Sequence, residues 1–210
     1  MAKTYFYYSA MNAGKSTTLL QSSYNYKERG MDTILFAPAF DDRFGDPAIY
    51  SRIGLKQEAV LFDIDFNIFD YIDKVRSNFP NLRCILIDEA HFMTKAQVAQ
   101  VIAATKEFDV AALCYGLRSD FKGEPFEGSI YLLAWAEEMI EIKTICHCGS
   151  KAIMNMRVDS EGNPVKSGSQ VQIGGNESYT SVCMKHYIND VGSITEYAFE
   201  KVGVQSTTPP

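Results

Sequence analysis

The 210-residue chain is 46% hydrophobic and carries 26 acidic against 20 basic side chains, a net charge of −6. That composition fits a globular protein whose core buries about 70% of the unfolded surface. It excludes the broad basic face with which nucleic-acid and anionic-membrane binders meet phosphate, and no apolar run reaches the roughly 20 residues that a bilayer requires.

The first strand, predicted over residues 5–8, follows Met1-Ala2-Lys3-Thr4 directly, so no secretory segment is expected and the cytoplasm is the expected compartment. Next comes Ser9-Ala10-Met11-Asn12-Ala13-Gly14-Lys15-Ser16-Thr17, leading into a helix predicted over residues 15–29 and stopped by Gly30. Gly-Lys-Ser-Thr between a strand and a helix is the pattern of a phosphate-cradling loop. Loop N–H groups and the positive helix end face the α- and β-phosphates, Lys15 reaches the β- and γ-phosphates, and the Ser16 hydroxyl coordinates Mg²⁺. Ser9 stands where the usual pattern has its leading glycine. A strand over residues 33–37 ends before Pro38, and the polar loop 41–51 holds Asp41, Asp42 and Arg43.

A helix over residues 67–79 leads to the buried strand Cys84-Ile85-Leu86-Ile87, which ends in Asp88-Glu89. A carboxylate at such a strand end holds Mg²⁺ through water or through the Ser16 hydroxyl, and one residue further a carboxylate faces the γ-phosphate and takes a proton from the attacking oxygen; Asp88 suits the first role and Glu89 the second. Thr94 N-caps a helix running to about residue 106. A buried strand over 110–114, a helix over 128–138 and a strand over 139–145 complete a β-α-β rhythm, which predicts a parallel sheet with helices on both faces. Asp88-Glu89-Ala90-His91 also spells a helicase box, with Glu89 activating water. One domain of acidic charge opposes that alternative, because such motors need two domains and basic grooves.

From Cys146 onward, short β-like runs over 152–158 and 170–173 surround the turn-rich Asp159-Ser160-Glu161-Gly162-Asn163-Pro164. The expected organisation is an α/β nucleotide-binding domain over 1–145, a second unit over 146–192 and a C-terminal tail over 193–210, frayed from Gln205 on. Cys146-His147-Cys148 and Cys183-Met184-Lys185-His186 are two short ligand pairs flanking a β-rich insert, the spacing of a structural Cys₃His zinc site. His147 is an alternative ligand, and side-chain alternation along an extended Cys-x-Cys favours Cys146 and Cys148. Buried thiols without a metal are the other reading. Five cysteines, an odd number, suit a reducing compartment, and Cys84 and Cys114 read as core.

In combination these segments, together with Tyr115-Gly116-Leu117-Arg118-Ser119-Asp120-Phe121, Pro125-Phe126 and Ile173-Gly174-Gly175-Asn176-Glu177-Ser178-Tyr179, resemble the type II thymidine kinases. The resemblance covers residues 4–187 and reads closest to the enterobacterial members. It implies a RecA-like P-loop domain carrying a zinc-bound lasso, ATP with Mg²⁺ as phosphate donor, and thymidine as acceptor. Glu89 would be the general base on the 5′-hydroxyl. Ala90, His91 and Arg43 would join the loop residues Ser9 to Ser16 at the phosphates. Met11, Phe92, Leu117, Phe121, Phe126 and Tyr179 would form the nucleoside slot, with the base edge read by the lasso around Asn155, Gln170, Ile173 and Gly174. Taken singly, Phe92 and Phe126 also read as core. The resemblance further implies a homotetramer, feedback inhibition by thymidine triphosphate, and neither nucleic-acid nor membrane partners. A kinase for another nucleoside and a zinc-stapled P-loop ATPase are the rival functions.

Overall fold

The computed structural model describes residues 1–40, 46–170, 178–192 and 194. Arg43, Ile173 and Gly174, with Asp41 and Asp42 and nearly all of the tail, lie outside the described residues. The elements in chain order are β1 (Thr4–Ser9), α1 (Lys15–Glu28), β2 (Asp32–Pro38), β3 (Ala48–Tyr50), β4 (Lys56–Glu58), β5 (Val60–Phe62), α2 (Ile68–Val75), β6 (Leu82–Ile87), α3 (Lys95–Glu107), β7 (Ala111–Leu117), α4 (Glu127–Trp135), β8 (Glu138–Glu141), β9 (Thr144–Ile145), β10 (Lys151–Ala152), β11 (Met154–Arg157), β12 (Tyr179–Val182) and α5 (Met184–Asp190).

Six strands make one parallel sheet in the order β5-β2-β6-β7-β1-β8. Side chains alternate across each central strand. Phe6, Ile34, Phe36, Ile85, Ile87, Ala112 and Cys114 join α2, α3 and α4 in one core. Their neighbours Leu35, Ala37, Cys84, Leu86, Leu113 and Tyr115 pack on the α1 residues Leu19 and Leu20 on the other face. Burial on both faces explains why β2, β6 and β7 read as continuous apolar runs. It also makes the two strand thiols inert: burial pushes Cys84 up to about 12 and Cys114 higher still.

Local chemistry sets the helix limits. Thr94 accepts from the Gln97 N–H at 3.2 Å and the Gln97 side chain accepts from the Thr94 N–H at 3.0 Å, a reciprocal capping box that starts α3. Asn67 caps α2 through its side-chain oxygen, which accepts from the Asp70 N–H. The helix predicted to Phe79 ends at Val75 and tightens into a 3₁₀ turn over Arg76–Asn78. The helix predicted to Glu138 ends at Trp135, because Ala136 turns extended and delivers Glu138 into the sheet. The strand predicted over 139–145 divides into β8 on the main sheet and β9, which pairs with β10. Strands β3, β4 and β5 were not anticipated. Each has three residues, and β4 is the polar Lys-Gln-Glu; the β3–β4 hairpin is tied to α1 by the Ser23 hydroxyl, which donates to Gln57 at 3.0 Å. Between Cys146 and Val191 a third apolar cluster forms around Met154, Met156, Val182 and Tyr187.

Candidate functional site

The candidate site residues gather at the carboxyl ends of β1 and β6. After Ser9 the chain passes through left-handed Asn12 (φ 60°) and Gly14 (φ 84°), which caps α1 without a side-chain bond. A side chain at Gly14 has open space, so the left-handed backbone, not crowding, is what favours glycine there. No acidic residue lies in the first turn of α1, so the positive end of a 14-residue helix faces the loop with no anion of its own, as a phosphate site requires. Lys15 is buried, and its Nζ donates to Ser9 Oγ at 3.2 Å and to the Ala10 carbonyl at 3.3 Å. Burial lowers its pKa, while the carboxylates of Glu89 and Asp88 pull in the opposite direction. Ser9 therefore has a task in this loop: its hydroxyl donates to the Ala10 carbonyl at 2.7 Å and receives the lysine.

Asp88 is buried at the end of β6. Its Oδ2 accepts from the Ser16 hydroxyl at 2.9 Å, and its Oδ1 accepts from the Glu89 N–H at 3.1 Å. A hydroxyl and a carboxylate in contact beside a phosphate loop are the donor set that Mg²⁺ favours, so these residues fit the ion. Glu89 adopts φ 46°, a left-handed conformation that costs a non-glycine residue about 1–3 kcal/mol and turns its carboxylate out of the strand line.

His91 follows in a 3₁₀ turn, Ala90–Phe92. Its Nδ1 lies 3.5 Å from Glu89 Oε2, a spacing that suggests an ion pair. The geometry says otherwise. Nδ1 accepts from the Leu117 N–H at 3.2 Å, and burial drives the imidazole pKa well below 6.5, so the ring is neutral and carries its proton on Nε2. His91 thus joins the turn after β6 to the end of β7. Two glycines permit that closeness: a Cβ on Gly116 would stand 3.0 Å from the His91 nitrogen, and one on Gly128 would stand 2.6 Å from the Ala90 carbonyl oxygen. Neither glycine carried a signal in the sequence, because its requirement is set by a segment distant along the chain.

The predicted nucleoside residues fall into two aromatic groups. Phe92 and Phe126 meet edge-on with centroids 5.5 Å apart, and Phe40, which sequence reasoning missed, closes on Phe92 at 4.8 Å. Phe121 and Tyr179 meet at 6.5 Å, with the Arg157 guanidinium 5.3 Å over the Phe121 ring. Asp120 Oδ2 and Arg157 Nη1 are buried with no hydrogen-bond partner among the described residues, orphans of the kind that a polar ligand edge satisfies. Leu117 is buried at the end of β7, and Gln170 is exposed. Asn155 is buried with its amide already bonded, to the Met11 N–H and the Ser119 carbonyl.

Cys146, Cys148, Cys183 and His186 converge, their ligand atoms all within 4.8 Å of one another. The Cys146 and Cys183 sulfurs each stand 3.3 Å from His186 Nδ1, and the Cys148 and Cys183 sulfurs stand 3.9 Å apart. That is far beyond a disulfide and close to the edge of about 3.8 Å that tetrahedral Zn–S bonds of 2.3 Å generate. The Ser150 hydroxyl and N–H hold the Cys148 thiol down at about 6, favouring the thiolate that a metal needs. The pairing of Cys146 with Cys148 is as expected, but strand alternation is not the cause. Gly149 N–H bonds the Cys146 carbonyl, and Gly149 sits at φ 83°, so the cysteines lie on a tight knuckle. Cys183 caps α5 and His186 lies in its first turn, three residues on and on the same face. His147 lies tilted against His186, with ring centroids 4.2 Å apart, and is not among the four converging groups.

Such a loop, with a carboxylate pair at the end of β6 one strand away across β7, has the arrangement with which α/β P-loop proteins hold a nucleotide's phosphates at the carboxyl edge of the sheet. Comparison with known proteins narrows the class. Residues 2–187 match the family described as "Thymidine kinase". The chain is 60% identical over 188 residues to "Thymidine kinase" of Coxiella burnetii, covering 89% of this chain and 95% of that protein. It is 55% identical over 195 residues to "Thymidine kinase" of Legionella pneumophila, covering 93% of each, and 56% identical over 192 residues to "Thymidine kinase" of Aliivibrio fischeri, covering 91% of this chain and all of that protein. The chain belongs to the thymidine kinase family.

Proposed function

We propose that the chain is an ATP:thymidine 5′-phosphotransferase. The observation that carries this reading is the 2.9 Å bond from Ser16 to Asp88, which joins the phosphate loop to the acid pair and sets Glu89 beside both. Glu89 accepts the proton of the thymidine 5′-hydroxyl as its oxygen bonds to the γ-phosphorus and the bond to the β–γ bridging oxygen breaks; ADP leaves. Lys15 and the amides of Asn12 to Ser16 neutralise and orient the triphosphate, and Arg43 adds charge at the γ-phosphate. Ser16 and Asp88 would hold Mg²⁺, whose charge would screen the phosphates. Phe92, Phe126, Phe121, Tyr179, Leu117 and Met11 enclose the nucleoside, and residues 170–174 meet the base edge, where unpaired polar groups disfavour cytosine. The orphaned Asp120 and Arg157 atoms support a polar ligand in that slot.

Residues 146–192 act as a lasso stapled by Zn²⁺ on Cys146, Cys148, Cys183 and His186. Four protein ligands complete a tetrahedral shell and leave no position for a catalytic water, so the metal is structural. The working enzyme is a cytoplasmic homotetramer inhibited by thymidine triphosphate, whose base takes the nucleoside slot while its phosphates reach the donor loop.

A coupled ADP assay across the common nucleosides tests the assignment. Thymidine-dependent ADP production supports it; phosphate release that ignores every nucleoside identifies an ATPase instead. Purified protein should hold about one zinc per chain, and Cys183→Ser should release it and weaken thymidine far more than ATP, because the ligands flank the lasso while the sheet keeps its own core. Metal analysis alongside titrations with both ligands decides this, and full-rate wild type without zinc would refute the metal assignment.

A further inference from the structure

Strands β11 and β12 form a two-stranded antiparallel ribbon whose register sets Asn155 opposite Ser181 and Arg157 opposite Tyr179. Alternation divides its faces. Met154, Met156 and Val182 enter the third apolar cluster. The opposite face presents Asn155, Arg157, Tyr179 and Ser181 to the α/β domain.

That face makes two attachments. At one end Arg157 and Tyr179 close on Phe121, at the nucleoside slot. At the other, the cross-strand pair grips one residue of the phosphate loop on both sides. Asn155 Oδ1 accepts from the Met11 N–H at 2.7 Å, and the Ser181 hydroxyl donates to the Met11 carbonyl. Asn155 spends its remaining amide group on the Ser119 carbonyl at 3.0 Å, in the segment between β7 and α4. One buried amide thus joins the phosphate loop, the ribbon and the segment that carries Phe121.

The orientation of a phosphate-loop peptide decides whether it turns an N–H or a carbonyl toward an anion. With its N–H and carbonyl both bonded to the ribbon, Met11 cannot swing its carbonyl toward the phosphates. A carbonyl dipole facing a triphosphate is repulsive, so the clamp preorganises the donor site. We propose that Asn155 and Ser181 are positioning residues that couple the two substrates: nucleoside held by the Arg157–Tyr179 end of the ribbon fixes the Met11 peptide at the other end, and ATP seats more tightly for it. This rests on the proposed function. Coupling between binding sites is reciprocal, so ATP must tighten thymidine by the same factor.

The test is a pair of calorimetric titrations with a non-hydrolysable ATP analogue and Mg²⁺, with and without saturating thymidine, and the reverse pair. Wild type should show mutual tightening of roughly 5- to 150-fold. Ser181→Ala should reduce that factor to below about 2-fold while zinc content and melting temperature stay near wild type, and Ser181→Thr, which keeps the hydroxyl, should restore it. Asn155→Ala removes a buried junction and risks unfolding, so the serine pair decides the question. Unchanged coupling in Ser181→Ala, or wild-type ligands that bind and react independently, overturns this inference alone. Wild type that binds neither ligand overturns the proposed function and this inference with it.

Discussion

Glu89→Gln is expected to lower thymidine turnover by roughly 10²–10⁴, which corresponds to about 3–5 kcal/mol of transition-state stabilisation, while both substrates bind nearly as before. The substitution keeps the volume of the side chain and the backbone amide that bonds Asp88; it removes only the proton acceptor. Glutamine also inherits the φ of 46°, so any strain there is common to both proteins and melting temperatures should agree. The neutral His91 ring 3.5 Å away has its Nδ1 occupied by the Leu117 N–H and is no substitute base within the turn. Single-turnover kinetics with saturating ATP and thymidine isolate the chemical step. A near-normal rate in that experiment would remove Glu89 from its assigned role.

Lys15→Ala should depress transfer by roughly 10³ or more, since catalysis of phosphoryl transfer is mostly placement and charge neutralisation. The amine is buried, and in the protein it bonds a serine hydroxyl and a carbonyl. Its desolvation is a cost in the free protein that interaction with a triphosphate offsets. Two consequences separate a local loss from a damaged fold. ATP affinity should fall much more than thymidine affinity, and the melting temperature should not fall, because the variant no longer buries an ammonium group. Equal loss of both ligands in calorimetry would point to general disruption of the loop.

The parallel sheet and the phosphate loop were legible because their signals are local. Strands buried on both faces must be apolar throughout, and Gly14-Lys15-Ser16 between a strand and a helix has few other uses. The capping box at Thr94 was legible for the same reason, since its two partners are three residues apart. The break between β8 and β9 was not. Residues 139–145 are uniformly extended in character, and only the choice of partner, β1 for one half and β10 for the other, divides them. Strand β12 was missed because four residues pair only when β11 is already in place. The four groups expected to hold zinc do converge, but for another reason, the turn at Gly149 doing what strand alternation was expected to do.

Residue types at short spacing therefore determined the class of protein, its loop, its acid pair and each of the two short Cys/His pairs, because each of those groups is specified by neighbours a few positions away. The tertiary structure alone decided which side chains meet across long separations. It brought Gly128 against the Ala90 carbonyl and His91 against Leu117, and it turned Asn155 from an expected base contact to the Met11 peptide, 144 positions earlier in the chain. Such contacts exist only after the sheet has set its strand order and the ribbon has packed across it, and no local pattern encodes the partner of a side chain whose bond is made that late.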